Sequence, residues 1–448
     1  MPISNIKKSR LKKLQNIRKK GQNPYPIKTN RTHTTEEALL NFDRLARAKT
    51  KLFLAGRIMS VREHGGSVFI HFEDGNGRIQ AYLRRDKLGK DKYDFFLSNF
   101  DIGDFIEVKG ILFKTKRGEK TLEVADYRML AKSLLPLPEK WHGLQDVEER
   151  FRKRYLDLIM NPEVRDKFRL RSKILEEMRN IFNKEGFMEV ETPVLQPIPG
   201  GALAKPFKTH LNALNLDLYL RVAPELYLKR LLVGGFEKIY EMGRCFRNEG
   251  MDYSHNPDFT MLEFYWAYQD KEKLMKFTEK IFVELLKKTK QTTQISYQGQ
   301  KINFKTPWKR VKFSDLIKNT EGKEPDEKFK TAARKLIQPT FVTDYPLEMS
   351  ALNKAKEDNP KLADRFQLVV AGIELVNAYS ELNDPVDQEK RFKSKLSQDR
   401  MDKDFIEALE YGMPPAAGWG LGVDRLVALL TDSHSLREVI LFPTMRPR

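Results

Sequence analysis

The stretch YEMGRCFRNEGMDYSHNPDFTMLEFYWAY, Tyr240 to Tyr268, constrains this chain more than any other. It reads as two strands joined by a charged loop. In the first arm Glu241, Gly243, Cys245, Arg247 and Glu249 alternate onto one face, and in the second Phe259, Met261, Glu263 and Tyr265 do the same. Laid side by side, the arms make a platform with a guanidinium, carboxylates, an aromatic ring and a phenol, while Asn248, His255, Asn256 and Asp258 fall in or beside the loop. That set suits an anionic, planar ligand such as a nucleotide, because a guanidinium fork matches phosphate and an aromatic face stacks on a purine.

A chain of 448 residues is long enough for two or more domains, each with its own core. The net charge of +19 argues for a polyanionic partner, with nucleic acid ahead of membrane because no amphipathic or apolar stretch calls for lipid. One cysteine, Cys245, rules out an internal disulfide and fits a reducing cytoplasm; beside Phe246 it reads as a packing residue and not a nucleophile. The basic start lacks the apolar core and cleavage site of a signal peptide, and no later run is long and apolar enough to span a bilayer. A cytoplasmic protein with no membrane partner is expected.

Taken in order, residues 1–50 hold a basic helix, Ile3 to Lys20, that stops at Gly21, followed by a lead-in. Its apolar residues are Ile6, Leu11, Leu14 and Ile17. Residues 51–133 give short β-like runs with turn signals at Asp74–Gly77 and Lys116–Glu119, which predict a small antiparallel barrel. Val68, Ile70, Phe72, Ile79, Ala81 and Leu83 then face its core and leave Phe69, His71, Gln80 and Tyr82 outward, a surface able to stack on and read bases. Residues 134–150 read as a proline-punctuated linker, and 151–448 as a second domain.

Within that domain a long buried helix runs from about Val164 to Gly186, followed by a short strand ending near Pro193. Gly200 and Gly201 permit close backbone approach to a ligand, and Glu225 opens a helix after Pro224. Glu272 to Lys288 reads as an ordinary surface helix, and Phe313 to Leu336 as a short polar segment. RFQLVVAGIELVNAYSELNDP predicts two strands around a turn with Asn377, Tyr379 and Glu381 on one face. Glu374 has the opposite parity and reaches that face only through a bulge, a turn or a sideways approach. GWGLGVDRLVALL predicts a glycine-lined strand opening into a helix near Val423, with Arg425 in its first turn.

These motifs resemble those of the class II aminoacyl-tRNA synthetases. The organising stretch resembles their motif 2, and FRNEG followed by HNPDFTMLEFYWAY resembles the bacterial-type lysyl-tRNA synthetase version. The long helix with its proline-ended strand resembles motif 1, GWGLGVDRLVALL resembles motif 3, and the barrel resembles the family's OB-fold anticodon-binding domain. The resemblance implies an α+β protein, an N-terminal OB-fold barrel followed by a catalytic domain of antiparallel sheet flanked by helices, working as a homodimer through motif 1. It implies ATP-dependent activation of L-lysine and transfer to lysine tRNA.

Carried over residue by residue, Arg247 bridges the lysine carboxylate and the α-phosphate. Phe259 and Arg425 sandwich adenine, Glu249, His255 and Asn256 help to hold ATP, and Arg425 also meets the γ-phosphate. Gly201 and Glu225 hold the α-amino group, while Glu381 and Tyr265 take the ε-ammonium in a pocket shared with Glu263, Asn377 and Tyr379. Phe69, Gln80 and Glu119 read the anticodon. Where the family uses two glutamates for Mg2+, this chain has Gln367 and Glu374, and its 313–336 segment is shorter than in many bacterial members. Competing readings are a related enzyme for aspartate or asparagine, a relative that lysylates protein, and a catalytically silent RNA-binding relative.

Overall fold

The computed structural model describes residues 2–138, 144, 146–318, 320–322, 324–396 and 400–447. The chain divides into two units, Met1–Gly143 and Leu144–Arg448. Of the expected linker, residues 139–143 and 145 lie outside the described residues. The 134–150 stretch is not irregular throughout: Asp146 accepts from the Glu148 and Glu149 amides and starts a helix, Val147–Arg152.

In the first unit, β1 (Leu52–His64), β2 (Ser67–Glu73), β3 (Arg78–Arg84), β4 (Phe105–Lys114) and β5 (Lys120–Ala131) close a barrel in the order β1-β2-β3-β5-β4. Val68, Ile70, Phe72, Ile79, Ala81 and Leu83 are all buried in it, as period-two alternation requires. The Asp74 carboxylate builds the β2–β3 turn by accepting from the Asn76 and Gly77 amides at 2.8 and 3.0 Å. Helix α1 (Ile3–Lys19) buries Arg10, Leu14 and Ile17, while Leu11 is 37% exposed. The Arg10 guanidinium donates to the Ser133, Leu135 and Ile102 carbonyls, so a cation replaces Leu11 in the face that packs.

The second unit is organised by an eight-stranded sheet. Its strands are β6 (Met188–Glu189), β7 (Lys238–Phe246), β8 (Asp258–Ala267), β9 (Lys309–Lys312), β10 (Thr340–Thr343), β11 (Arg365–Val370), β12 (Ile373–Ser380) and β13 (Ala416–Gly422). They lie in the order β9-β10-β11-β12-β13-β8-β7-β6, antiparallel except at the outer pairs β9–β10 and β6–β7. Helices α2 (Pro162–Lys184), α3 (Glu225–Val233), α4 (Lys271–Lys290) and α5 (Val423–Leu430) pack around it.

One face of the sheet is core. Leu262, Phe264 and Trp266 of β8 are buried there beside Tyr240 and Trp419, with Phe182 of α2 stacked on Tyr240 at 5.0 Å. Helix α4, expected at the surface, belongs to this core. It buries Leu274, Phe277, Thr278, Ile281, Phe282 and Leu285, and Thr278 accepts a hydrogen bond from the Trp419 indole at 2.9 Å. Its many lysines hide that stripe in the sequence. The segment from 313 to 336, read as polar, forms two short helices, Phe313–Ile317 and Pro325–Ala333, whose Phe313 and Phe329 pack on Tyr345.

Candidate active site

The other face of the sheet is a floor for ligands, and register decides what stands on it. Across β8 and its neighbours, Cys245 pairs with Phe259, Gly243 with Met261 and Glu241 with Glu263, while Met261, Glu263 and Tyr265 pair with Gly422, Gly420 and Gly418 of β13. On the far side of β13, Asn377 and Tyr379 pair with Gly420 and Gly418. Partners across a ladder share a face, so three alternate glycines of β13 leave room for the large polar side chains on both sides. A Cβ at Gly418 would come within 2.1 Å of Glu381 Oε1 and 2.6 Å of the Tyr265 ring.

The predicted hairpin of β11 and β12 forms, and of the bulge, turn or sideways approach open to Glu374 the structure has the bulge. Gln367 pairs with Asn377 and Leu368 with Val376, but Val369 pairs with Glu374, so Leu375 is extra. Glu374 thereby joins Asn377 and Tyr379 on the wall of a cavity of about 430 Å³. Gly201, Glu225, Arg247, Glu249, His255, Asn256, Phe259, Glu263, Tyr265 and Arg425 line the same cavity. Six residues of strand separate Phe259 from Tyr265, about 20 Å, so the cavity has two distinct ends.

At the Phe259 end, the Arg247 guanidinium lies 5.1 Å over the Phe259 ring, and its buried Nε has no hydrogen-bond partner among the described residues. The Asn256 amide donates to the Asp258 carbonyl at 2.7 Å and leaves its own buried oxygen unpartnered. Asp252 lies 3.0 Å from the exposed His255 ring, and Arg425 donates to the Glu374 carbonyl at 3.1 Å. Unpaired buried donors and acceptors facing a cavity are positions a polar ligand completes.

At the Tyr265 end, ionisable groups are concentrated and buried. Pro224 places Glu225 at the start of α3, where its carboxylate accepts from the Tyr379 hydroxyl at 2.7 Å and the Lys229 ammonium at 2.6 Å. Gly201 sits against it with φ +85°, and a Cβ there would meet those of Ala223 and Glu225 near 3 Å. Tyr265 donates to Glu263 at 3.2 Å. Burial first, and the neighbouring Glu225 second, push the Glu263 carboxyl up to about 8. Glu241 is matched by Arg221 and Thr192 instead. Burial also pushes the Cys245 thiol up to about 12, which leaves it inert packing.

On the barrel, Phe69 and Tyr82 are cross-strand partners and stack at 4.4 Å. Gln80, expected outward, is buried: its amide donates to Glu119 at 2.8 Å and accepts from Thr121 at 2.8 Å, because β5 returns alongside β3. His71 meets the other Glu119 oxygen at 2.9 Å. By register Phe69 and His71 of β2 share a face with Tyr82 and Gln80 of β3, and Glu119 bonds to His71 and Gln80.

Residues 146–446 match the family model for class II tRNA synthetases (D, K and N), and residues 53–130 match that for the OB-fold nucleic acid binding domain of the anticodon type. The lysine–tRNA ligase of Carboxydothermus hydrogenoformans is 49% identical, covering 100% of this chain and 99% of its own. This chain belongs to the class II tRNA synthetases, among the lysine–tRNA ligases. Those of Pelotomaculum thermopropionicum and Thermotoga maritima are 48% and 46% identical, each over 100% of this chain. The aligned span of 485 residues in the first exceeds the 448 of this synthetase, so that relative carries segments this chain lacks.

Two expected residues of the synthetase stand off the cavity wall. Gln367 is buried and its amide oxygen accepts from the Tyr345 hydroxyl at 2.5 Å. Glu381 lies beyond the end of β12, behind Gly418, with neither carboxylate oxygen well hydrogen-bonded among the described residues although Lys229 is 2.5 Å from Oε2. Sequence reasoning missed three cations. Arg365 lines the cavity and donates to Asn377 at 2.8 Å, a position that strand parity with Gln367 could have flagged. Arg400 lines it and donates to the Ala202 and Ala204 carbonyls, and Lys229, one turn after Glu225, lies buried behind the wall. The Gly418 contacts make a direct prediction. Gly418→Ala should destabilise the second unit by about 1–3 kcal/mol through overpacking, read as a shift in its urea midpoint; an unchanged midpoint would mean Glu381 and Tyr265 have room to retreat.

Proposed function

We propose that this chain activates L-lysine with ATP and transfers it to the 3′ end of lysine tRNA in the cytoplasm, where a chain with one buried cysteine suits the reducing conditions. The observation that carries the reading is the concentration of carboxylates at one end of the cavity, Glu225, Glu263 and, behind Gly418, Glu381, with the phenols of Tyr265 and Tyr379 among them. A buried carboxylate without a full set of partners invites an ammonium. The side chain of aspartate or asparagine would find repulsion or no charge partner there.

In this reading Glu225 and Gly201 hold the α-amino group, and Glu381 with Tyr265 meets the ε-ammonium. Glu263, Asn377 and Tyr379 shape the pocket between them. Arg247 grips the lysine carboxylate and the ATP α-phosphate together. A carboxylate oxygen then attacks the α-phosphorus in line, the bond to the bridging oxygen breaks, and pyrophosphate leaves. The ribose hydroxyl of tRNA next attacks the acyl carbon of the adenylate, and AMP departs. The chain forms no covalent bond of its own, so its contribution is positioning and charge neutralisation. Phe259 and Arg425 stack on adenine, Arg425 extends to the γ-phosphate, and Glu249, His255 and Asn256 complete the nucleotide's contacts.

Mg2+ bound with ATP neutralises phosphate charge and takes hard oxygen ligands, to which the Glu374 carboxylate on the cavity wall is suited. Gln367 offers only an amide oxygen, already used by Tyr345. The exposed apolar residues Met188, Val194, Leu195, Leu214 and Leu216 favour assembly as a homodimer, which sedimentation velocity should show as twice the chain mass; a monomer at micromolar concentration removes this part of the reading.

The pocket carboxylates make lysine binding depend on pH. Burial raises both Glu263 and Glu381, the latter against the pull of Lys229, so protons compete with an ammonium for these carboxylates as pH falls through about 8. The lysine KM in ATP–pyrophosphate exchange should therefore fall as pH rises from 7 through 8. Glu381→Gln should cost lysine recognition about 3–5 kcal/mol and flatten that dependence, and unchanged exchange would sink the assignment. On the barrel, Phe69→Ala should reduce charging of lysine tRNA and spare pyrophosphate exchange, since stacking contributes roughly 1–3 kcal/mol per base. Equal loss of both would contradict anticodon reading by Phe69, Gln80 and Glu119.

A further inference from the structure

Lys229 lies wholly buried one turn after Glu225 on α3, off the cavity wall. Its ammonium is 2.6 Å from Glu225 Oε1, 2.5 Å from Glu381 Oε2 and 5.6 Å from the centre of the Tyr379 ring. It therefore joins the two carboxylates read above as the receivers of the two ends of lysine. An ammonium stripped of water on all sides persists only where carboxylates match it. Burial opposes the charge on Lys229, but Glu225 and Glu381 outweigh it and strengthen its hold on the proton.

The charges grouped around Lys229 can then be counted, apart from Arg365 and Arg400 on the cavity wall, which donate to Asn377 and to the Ala202 and Ala204 carbonyls. Glu225, Glu263 and Glu381 contribute three negative charges when ionised, the phenols of Tyr265 and Tyr379 contribute none, and Lys229 removes one. Two remain. Lysine brings two ammonium groups, its carboxylate being matched by Arg247. Resting on the reading of this pocket as a lysine site, we propose that Lys229 is a specificity-determining positioning residue. Its ammonium sets the pocket's negative charge to what a diammonium amino acid neutralises, and it holds Glu225 and Glu381 toward the two ends of that substrate.

The groups facing Lys229 are Glu225 on its own helix, Tyr379 on β12 and Glu381 just beyond it, with Glu263 and Tyr265 of β8 beside them. Among these, Lys229 is what draws the Glu381 proton off, against burial and the repulsion of Glu225. Without it Glu381 stays a neutral acid to higher pH and stops accepting an ammonium. A purely structural Lys229 has no such consequence for the pH at which lysine binds.

The test compares wild type, Lys229→Met and Lys229→Gln in lysine-dependent ATP–pyrophosphate exchange between pH 6.5 and 9, with thermal unfolding to verify folding. At pH 7.5 lysine KM should rise on the order of tenfold or more in both variants, with ATP KM changed less than about twofold. The pH at which lysine KM falls should also move upward from the wild-type value. Titration of free lysine acts on all three proteins alike. Unchanged lysine KM and pH profile in a folded variant would overturn the proposal, and so would equal loss for lysine and ATP. If neither variant unfolds cooperatively, Lys229 serves the fold whatever the substrate, and the proposal likewise falls. A wild type that activates another amino acid and not lysine would instead overturn the reading of the pocket itself.

Discussion

The register of β8 between β7 and β13 is the constraint on which the second unit depends. A strand has two faces, and a slip of one residue exchanges them. In the observed register Leu262, Phe264 and Trp266 enter the core with Tyr240 and Trp419, while Phe259, Met261, Glu263 and Tyr265 turn to the opposite face. A slipped register would drive Glu263 into the packing of α2 and α4 and lift Phe264 into the cavity. The aromatic packing of Phe182, Phe187, Phe264 and Phe277 therefore aligns the binding groups as well as filling the core.

Glycine on β13 converts that alignment into space. Gly418, Gly420 and Gly422 alternate onto the cavity face, and each lies opposite a large polar or sulfur-bearing side chain of β8. A strand with three glycines gives up packing and gains conformational freedom when unfolded. Its flanking partners supply the compensation, because β13 is held on both sides and its Trp419 and Leu421 are buried on the core face.

Charge is the other organising quantity, and burial gives it leverage. At the barrel, Asp101 and Asp104 are matched by Lys132, with Lys13 adding to Asp101. In the second unit Arg154 is buried against Asp157 and donates to the carbonyls of Arg437 and Leu441 near the chain's end. Those ions are satisfied within the fold and serve architecture. Glu225, Glu263 and Glu381 set three carboxyl groups against the one ammonium of Lys229, and at Arg247 and Asn256 buried polar atoms are left unpartnered among the described residues. Lost hydration of such groups is regained when a ligand arrives, which is where binding selectivity originates.

The sequence by itself determined the local elements and their faces: the hairpin around Arg247, the glycine strand opening at Val423, the barrel's inward residues, and the opposite parity of Glu374. These follow from periods of two and 3.6 and from turn chemistry, which neighbouring residues carry between them. The family resemblance named cavity-wall residues such as Arg247, Phe259, Glu263 and Arg425, but not Arg365 or Arg400. Tertiary structure alone decided the rest. It buried α4 beneath its lysines, turned Arg10 inward in place of Leu11, enclosed Gln80 beneath β5, gave the Gln367 amide to Tyr345, and set Lys229 between Glu225 and Glu381. Glu225 and Glu381 lie far apart along the chain, and only the packing of α3 against the end of β12 brings them to one ammonium. Whether a charged side chain is solvated or buried depends on which distant group meets it, and that is a property of the assembled fold.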